Sequence, residues 1–170
     1  MRKLLTFGLL SIAFASCSTP PELATKLERA AVLPLEINDN FQIRKVKQTF
    51  FDEGPYPQTQ SEPINFERSR LQWGAVDRYQ LQKRYGNYYQ FFWRTSEQAD
   101  VTVRLEYRQA ALANYVMATE RYYPQAKGSF KSEFDTAGDE FLENGRVTSW
   151  RILLIVNGRI VAFRQSFMWR

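Results

Sequence analysis

After residue 40 the hydrophobic and polar positions alternate with a period of two through most of the chain. Val101, Val103, Leu105 and Tyr107 interleave without a break with Thr102, Arg104, Glu106 and Arg108. That is the mark of a strand with one buried face. Tyr89, Phe91 and Trp93 alternate with Tyr88, Gln90 and Phe92 in a second strand over Tyr88 to Arg94. Phe41 to Phe51 predicts another, although its alternation slips at Val46. Tyr79, Leu81 and Tyr85 against Gln80, Gln82 and Arg84 predict a half-buried strand, followed by a turn at Gly86-Asn87. Short strands are expected at Phe66 to Trp73 and Phe130 to Phe134, and an aromatic one at Tyr115 to Tyr123, stopped by Pro124. Asp52 to Pro63, with Gly54, Pro55 and Pro57, reads as a loop, and Thr95 to Asp100 as a turn. Thr136 to Asn144 is a polar crossing with one helical turn at Asp139 to Leu142.

The clearest element is C-terminal. Val147 to Val156 and Arg159 to Trp169 flank Asn157-Gly158. Asn-Gly between two apolar runs specifies a type I′ hairpin, because both central residues need positive φ. A two-residue turn places Val156 opposite Arg159, Leu154 opposite Val161 and Ile152 opposite Phe163. Trp150 then faces Gln165, and Thr148 faces Phe167. The apolar sets of both strands land on one face, and a slip of one residue would put one set in water.

About seven strands separated by turns, with no long amphipathic helix, predict an all-β antiparallel domain over residues 41–170. The pattern resembles two-sheet sandwiches of immunoglobulin or fibronectin III type. A lipocalin-like barrel and a curved sheet with one short N-terminal helix are the alternatives. That helix is expected within Glu22 to Val32, with Leu23, Leu27 and Ala30 or Ala31 along one side and Pro34 ending it. Residues 17–40 otherwise read as a tether, opened by Pro20-Pro21.

The first residues have another character. Arg2 and Lys3 precede an apolar run from Leu4 to Phe14, and Ala15-Ser16 leads to Cys17, the chain's only cysteine. A charged start, a short apolar core and small residues form a secretory signal. The core is too short to span a membrane. Phe14-Ala15-Ser16-Cys17 resembles the lipobox of bacterial lipoproteins, with Phe14 where Leu is usual. The resemblance implies removal of residues 1–16 and a diacylglyceryl group on the Cys17 thiol. It implies anchoring in a bacterial envelope membrane. Ser18 in place of Asp favours the outer membrane in an organism that has one.

Charge changes little once the leader is set aside. The formal charge of +5 falls to +3 without Arg2 and Lys3, too mild for a nucleic-acid stripe. One cysteine allows no internal disulfide, so the fold rests on a core for which 13 Phe, 9 Tyr and 4 Trp are ample. The absence of histidine removes the commonest general base and metal ligand. It also excludes Ser-His-Asp and Cys-His chemistry. Glu133, Asp135, Asp139, Glu140 and Glu143 lie close in sequence. Two of them in a cleft would make a glycosidase-like dyad, but their spacing matches no calcium loop. No enzyme activity, cofactor or metal is expected.

Basic residues gather at Arg44, Lys45 and Lys47, at Arg68 and Arg70, and at Arg78, Lys83 and Arg84. Such residues deter edge-to-edge strand pairing or rest on anionic head groups. The aromatic residues Tyr88, Trp93, Tyr122, Tyr123 and Trp169 are the candidate binding positions. Tyr88 and Trp93 lie on opposite faces of one strand, so both faces need cover or a ligand. Exposed aromatics serve protein interfaces or stack on sugars. The sequence therefore points to a lipid-anchored, non-catalytic envelope module that binds a protein partner, with carbohydrate binding as the alternative.

Overall fold

Phe91 and Tyr107 belong to one continuous strand, β3 (Gly86–Gln109). A straight strand would hold them roughly 50 Å apart at about 3.3 Å per residue. Yet the ring of Trp150, the residue paired with Tyr107, lies 5.6 Å from the ring of Phe91. The strand therefore doubles over. The computed structural model that reveals this describes residues 24–54, 56–57, 59–75 and 77–169. The expected leader, Cys17 and Ser18 lie outside them.

Around β3 the chain runs β1 (Thr25–Leu27), β2 (Phe41–Phe51), α1 (Glu62–Leu71), α2 (Arg78–Gln82), β3, β4 (Met117–Ala137), α3 (Asp139–Asn144), β5 (Val147–Val156) and β6 (Arg159–Gln165). All strand pairings are antiparallel, in one sheet ordered β1-β4-β3-β5-β6. The sixth strand, β2, takes the same edge of β3 that β5 takes. It pairs with residues 86–95 of β3, while β5 pairs with residues 102–109. One sheet thus folds into two facing leaves. The all-β antiparallel expectation holds, with both layers drawn from a single curved, unclosed sheet.

The fold line is Thr95 to Val101, where the β3–β4 register shifts twice. Thr95 Oγ1 donates to the Glu97 carbonyl at 2.6 Å, and Gln125 N donates to Asp100 Oδ1 at 2.7 Å. Opposite the bend, Gln125 (φ 48°) and Gly128 (φ 99°) turn β4. Pro124 falls between the pairs Val101–Tyr123 and Ala99–Ala126. The bulge there makes its missing N–H harmless. The turn expected at residues 95–100 is therefore a bend inside a strand, and Pro124 does not end β4.

The core lies between the leaves. Tyr89, Phe91 and Trp93 from the first half of β3 meet Val103, Leu105 and Tyr107 from the second, with Ile152 and Leu154 of β5. Burial raises the phenol pKa of Tyr88, Tyr89, Tyr107 and Tyr123 above the ordinary 10.0. Each is held in its neutral form by the fold. Their contribution to stability is complete below pH ~10, the unfolded value, and falls as pH rises above it. In an alkaline titration, the tyrosinate absorbance of these four should rise together with loss of circular dichroism. Full ionisation with the dichroism intact would contradict their burial.

Further expectations change between residues 24 and 87. Phe66 to Trp73 and Tyr79 to Tyr85 are not strands: α1 and α2 occupy those stretches. Pro63 in the first turn favours α1. The Asp77 side chain caps α2 by accepting from Gln80 N at 2.7 Å. Gly86-Asn87 does not turn but opens β3, where Gly86 passes 2.6 Å from the Ala137 Cα measured from an ideal Cβ position. Only glycine fits there. Finally, residues 24–40 are neither helix nor free tether along their described length. Thr25–Leu27 pairs with β4, and Leu35 bridges Ile160 in parallel. Glu36 N and Asn38 N donate to the carbonyls of Ile160 and Val161, each at 2.9 Å. We call residues 28–38 the N-terminal strap.

The C-terminal hairpin forms with Asn157 at φ 50° and Gly158 at φ 72°. Val156 pairs with Arg159 as expected, and Ile155 with Ile160. A bulge then shifts the register, so Leu154 faces Ala162 and Leu153 faces Phe163. This corrects the expected pairs Leu154–Val161, Ile152–Phe163 and Trp150–Gln165, since Gln165 pairs with Arg151. The bulge turns both Val161 and Ala162 into the core and leaves Phe163 exposed.

Candidate functional site

The five candidate aromatics separate once their surroundings are seen. Trp93 is 1% exposed. Its ring stacks on Phe130 at 4.6 Å, meets Tyr123 edge-on at 5.2 Å, and donates from Nε1 to Ser132 Oγ at 2.9 Å. Tyr123 is buried too, its hydroxyl 2.7 Å from the same Ser132 Oγ. Both are core, not binding platforms. Tyr88 is half-buried, with its hydroxyl donating to the Arg84 carbonyl at 2.7 Å.

Trp169 is 7% exposed, covered on the outer face of the β3–β5 leaf. The guanidinium carbons of Arg108 and Arg151 lie 4.6 and 5.0 Å from its ring centroid, a double cation–π contact. A turn at Ser166–Trp169 brings it there: Trp169 N donates to the Ser166 carbonyl at 3.1 Å. Only Tyr122 is exposed among the five.

Under Trp169 runs a row of charges that the strand pattern assigns to solvent. Glu106, 2% exposed, accepts from Arg151 Nε at 2.5 Å and lies 3.6 Å from Arg104 Nη1. Arg104 Nε donates to Glu120 at 2.5 Å, and its Nη1 donates to the Ala31 carbonyl at 2.8 Å. The strap covers this polar face, so both faces of β3 are buried here.

The acidic residues are drawn partly together. Asp135, Asp139 and Glu140 line one hollow of about 360 Å³ with Lys26, Thr119 and Phe134. Both oxygens of Glu140 are engaged, Oε1 by the Tyr107 hydroxyl at 2.6 Å and Oε2 by Lys26 Nζ. Asp139 pairs with Lys83. These carboxylates tie β1, β3, α2 and α3 together. Glu133 faces away, paired with Lys131 at 2.9 Å and Gln90 at 2.9 Å, which holds its carboxyl below the usual range. Among the described residues no group of three or more His, Cys, Asp or Glu is arranged to hold a metal ion.

The surface that remains is an appendage between β2 and β3. Its root is a small core of Phe51, Ala75 and Leu81 with Tyr85 and Tyr88. Trp73, at φ 54°, ends the α1 segment, stacks on Phe51 at 5.0 Å and meets Tyr88 at a tilt at 4.7 Å. Beyond that root, α1 buries none of its residues. Ile64, Phe66 and Leu71 on α1, and Tyr79 on α2, are all exposed. The loop before α1 is tied back to it: Asn65 Nδ2 donates to the Thr59 carbonyl at 2.7 Å, Thr59 N donates to Asn65 Oδ1 at 2.9 Å, and Arg68 donates to the Pro57 carbonyl. A hollow of about 330 Å³ opens between the helices, lined by Tyr56, Phe66, Arg68, Ser69 and Arg78.

Comparison with protein-family models, with curated proteins and with solved structures finds no match to this chain. Its site is therefore read from geometry alone. The basic cluster Arg68, Arg70, Arg78, Lys83 and Arg84 in the sequence marks this appendage. The local alternation around Phe66, Trp73 and Tyr79 fits a strand, which hides their exposure on and beside helices. Their signal was the interleaving of large apolar and basic residues without a period that buries either set. No helix among the described residues is long and apolar enough to cross a membrane.

Proposed function

We propose that this chain is a lipid-anchored protein of a bacterial envelope, held through Cys17, that binds a protein partner without catalysis. The surface in question is the α1–α2 appendage. One observation carries the reading: α1 buries nothing and holds Ile64, Phe66 and Leu71 outward beside Arg68 and Arg70. Ile64 and Leu71 share one side of α1 with Arg68, and Phe66 shares the other with Arg70; exposed apolar groups mark interaction surfaces, and aromatics with arginine are enriched at interface centres. The arginines suit a partner with an acidic, partly apolar face. Carbohydrate stacking has less support, because Trp93, Tyr123 and Trp169 are covered.

The test places a photo-crosslinking residue at Phe66, and separately at Tyr79, in cells that make the full chain. One shared crosslinked protein should appear in the envelope fraction, and Arg70→Glu should reduce its yield about tenfold, the size of one lost charged contact. Phe66 is exposed, so Phe66→Ala should change stability by no more than ~0.5 kcal/mol while weakening the crosslink from Tyr79. Crosslinks only to random abundant proteins, insensitive to Arg70→Glu, would remove the proposal. Metabolic labelling with a palmitate analogue, present in wild type and lost in Cys17→Ala, tests the anchor independently.

A further inference from the structure

A sheet that does not close keeps free edges, and the two edges of the β2–β3–β4 leaf differ in charge. Among the described residues β2 pairs with β3 alone, and it carries exposed Arg44, Lys45 and Lys47. An edge of one sign repels a copy of itself. On its far side β4 is covered by β1 only at residues 118–120. Beyond the bend, from Gly128 to Ala137, its register to β3 runs without a shift. No strand among the described residues pairs with the outer side of that stretch.

The backbone of this edge is available. At one end of the ladder Gly138 N donates to the Tyr85 carbonyl at 2.9 Å, and at the other Ser96 N donates across to the Asn40 carbonyl at 3.0 Å. Odd-numbered residues in this half of β3 therefore bond toward β4, where even-numbered residues receive them. The N–H and C=O groups of Ser129, Lys131, Glu133 and Asp135 point outward. Their side chains, with that of Lys127, stand on the exposed face. From Lys127 to Asp135 this face is basic first and acidic last. An antiparallel copy reverses the order, so basic lies against acidic at both ends.

We propose that this edge of β4 pairs antiparallel with the same edge of a second copy of the chain, about a two-fold axis at Ser132. Lys131 then stands opposite Glu133 of the second copy, and Ser129 opposite its Asp135, each twice. On the inner face half-buried Phe130 comes beside Phe134 of the second copy. Opposite charges and aromatic pairs directly across the strands favour such pairing. Shifting the register by two residues one way sets Lys131 against Lys131. Shifting it the other way runs the pairing into the bend at Gln125. Within one chain Lys131 and Glu133 already pair at 2.9 Å with both side chains about half exposed, and Gln90 donates to the same Oε1. That exposed pair is worth little by itself, and the second copy adds a counter-charge to each member without displacing it. The edge is separate from the α1–α2 surface, so either proposal stands or falls without the other.

The test makes two differently tagged full-length chains in one cell, one carrying Ser129→Cys and the other Asp135→Cys, and oxidises them mildly. The proposed register sets these residues about 5.5 Å apart at Cα, within reach of a disulfide. A mixed dimer should form. Ser129→Cys alone should give about tenfold less, because two such residues would lie about 20 Å apart along the paired strands. Cys17 is present in every arm, so the wild-type chain sets the background. Adding Lys131→Glu to both chains sets like charges opposite at two places and should lower the mixed dimer about tenfold. Adding Glu133→Lys as well should restore it. All four positions are exposed, so circular dichroism should stay that of wild type. A mixed dimer no more abundant than the single-variant background removes the proposal. A yield that Lys131→Glu leaves unchanged, or that Glu133→Lys fails to restore, removes the register. Disulfides from these positions to a different protein alone would make the edge a site for an extended segment of that protein and overturn self-pairing.

Discussion

Replacing Trp93 by alanine should destabilise the domain by about 4 kcal/mol, within the range for deleting a fully buried tryptophan. The side chain is 1% exposed and packs β3 against β4. Its ring stacks on Phe130 and meets Tyr123, both of β4, and β4 also supplies Ser132 to its Nε1. Alanine leaves a void that the surrounding strands cannot fill, because the leaves are held apart by Phe91, Tyr107 and Trp150. It also removes one hydrogen-bond partner from buried Ser132. Urea denaturation should report a lower midpoint with an unchanged slope, since the folded and unfolded surfaces hardly differ. Trp73→Ala is the contrast. Trp73 is 42% exposed, so its loss should cost less, about 2 kcal/mol. A Trp93→Ala protein as stable as wild type would contradict the core assignment.

Glu106→Gln should cost about 3 kcal/mol, the lower end of what breaking a buried ion pair costs. Glu106 is 2% exposed and anchors two arginines at once. Removing its charge leaves Arg104, itself 7% exposed, with less compensation in a region water does not reach. The change should also loosen the strap, because Arg104 holds the Ala31 carbonyl. Amide exchange at residues 28–34 should therefore rise together with the fall in stability. Arg151→Gln should cost less than Glu106→Gln, since Arg151 is partly solvated and solvent screens its loss. An Arg151→Gln cost equal to or larger than that of Glu106→Gln would show that Arg104 adds nothing to the row. Glu106→Gln with native stability would mean the row is neutral to folding.

The sheet was readable wherever the alternation had an unambiguous period. The Val101 to Tyr107 pattern needs one buried face, and that face is in the core. The Asn157-Gly158 turn was readable because only residues that tolerate positive φ suit both positions. The helices were missed because a few alternating residues fit either period. Leu81 and Tyr85 are two positions of a strand face but also one helical turn apart, and the Asp77 cap settles the choice. The candidate site was less readable. Aromatic residues on both faces of β3 do not reveal which face is covered, because cover comes from segments distant in sequence. Trp93 is sealed by β4, and Trp169 by Arg108 and Arg151.

The sequence by itself determined the strand-rich composition, the type of the C-terminal turn, the antiparallel class and the lipobox-like motif at Cys17. These follow from local periods, from φ preferences and from contiguous residues. The tertiary structure alone decided that β3 folds across both leaves, that a bulge at Val161 redirects Phe163, and that the strap covers Arg104 and Glu106. It also decided that α1 stands exposed. Those outcomes depend on which distant segment reaches a given face first. Burial of a polar row becomes possible only when partners from other strands arrive to neutralise it.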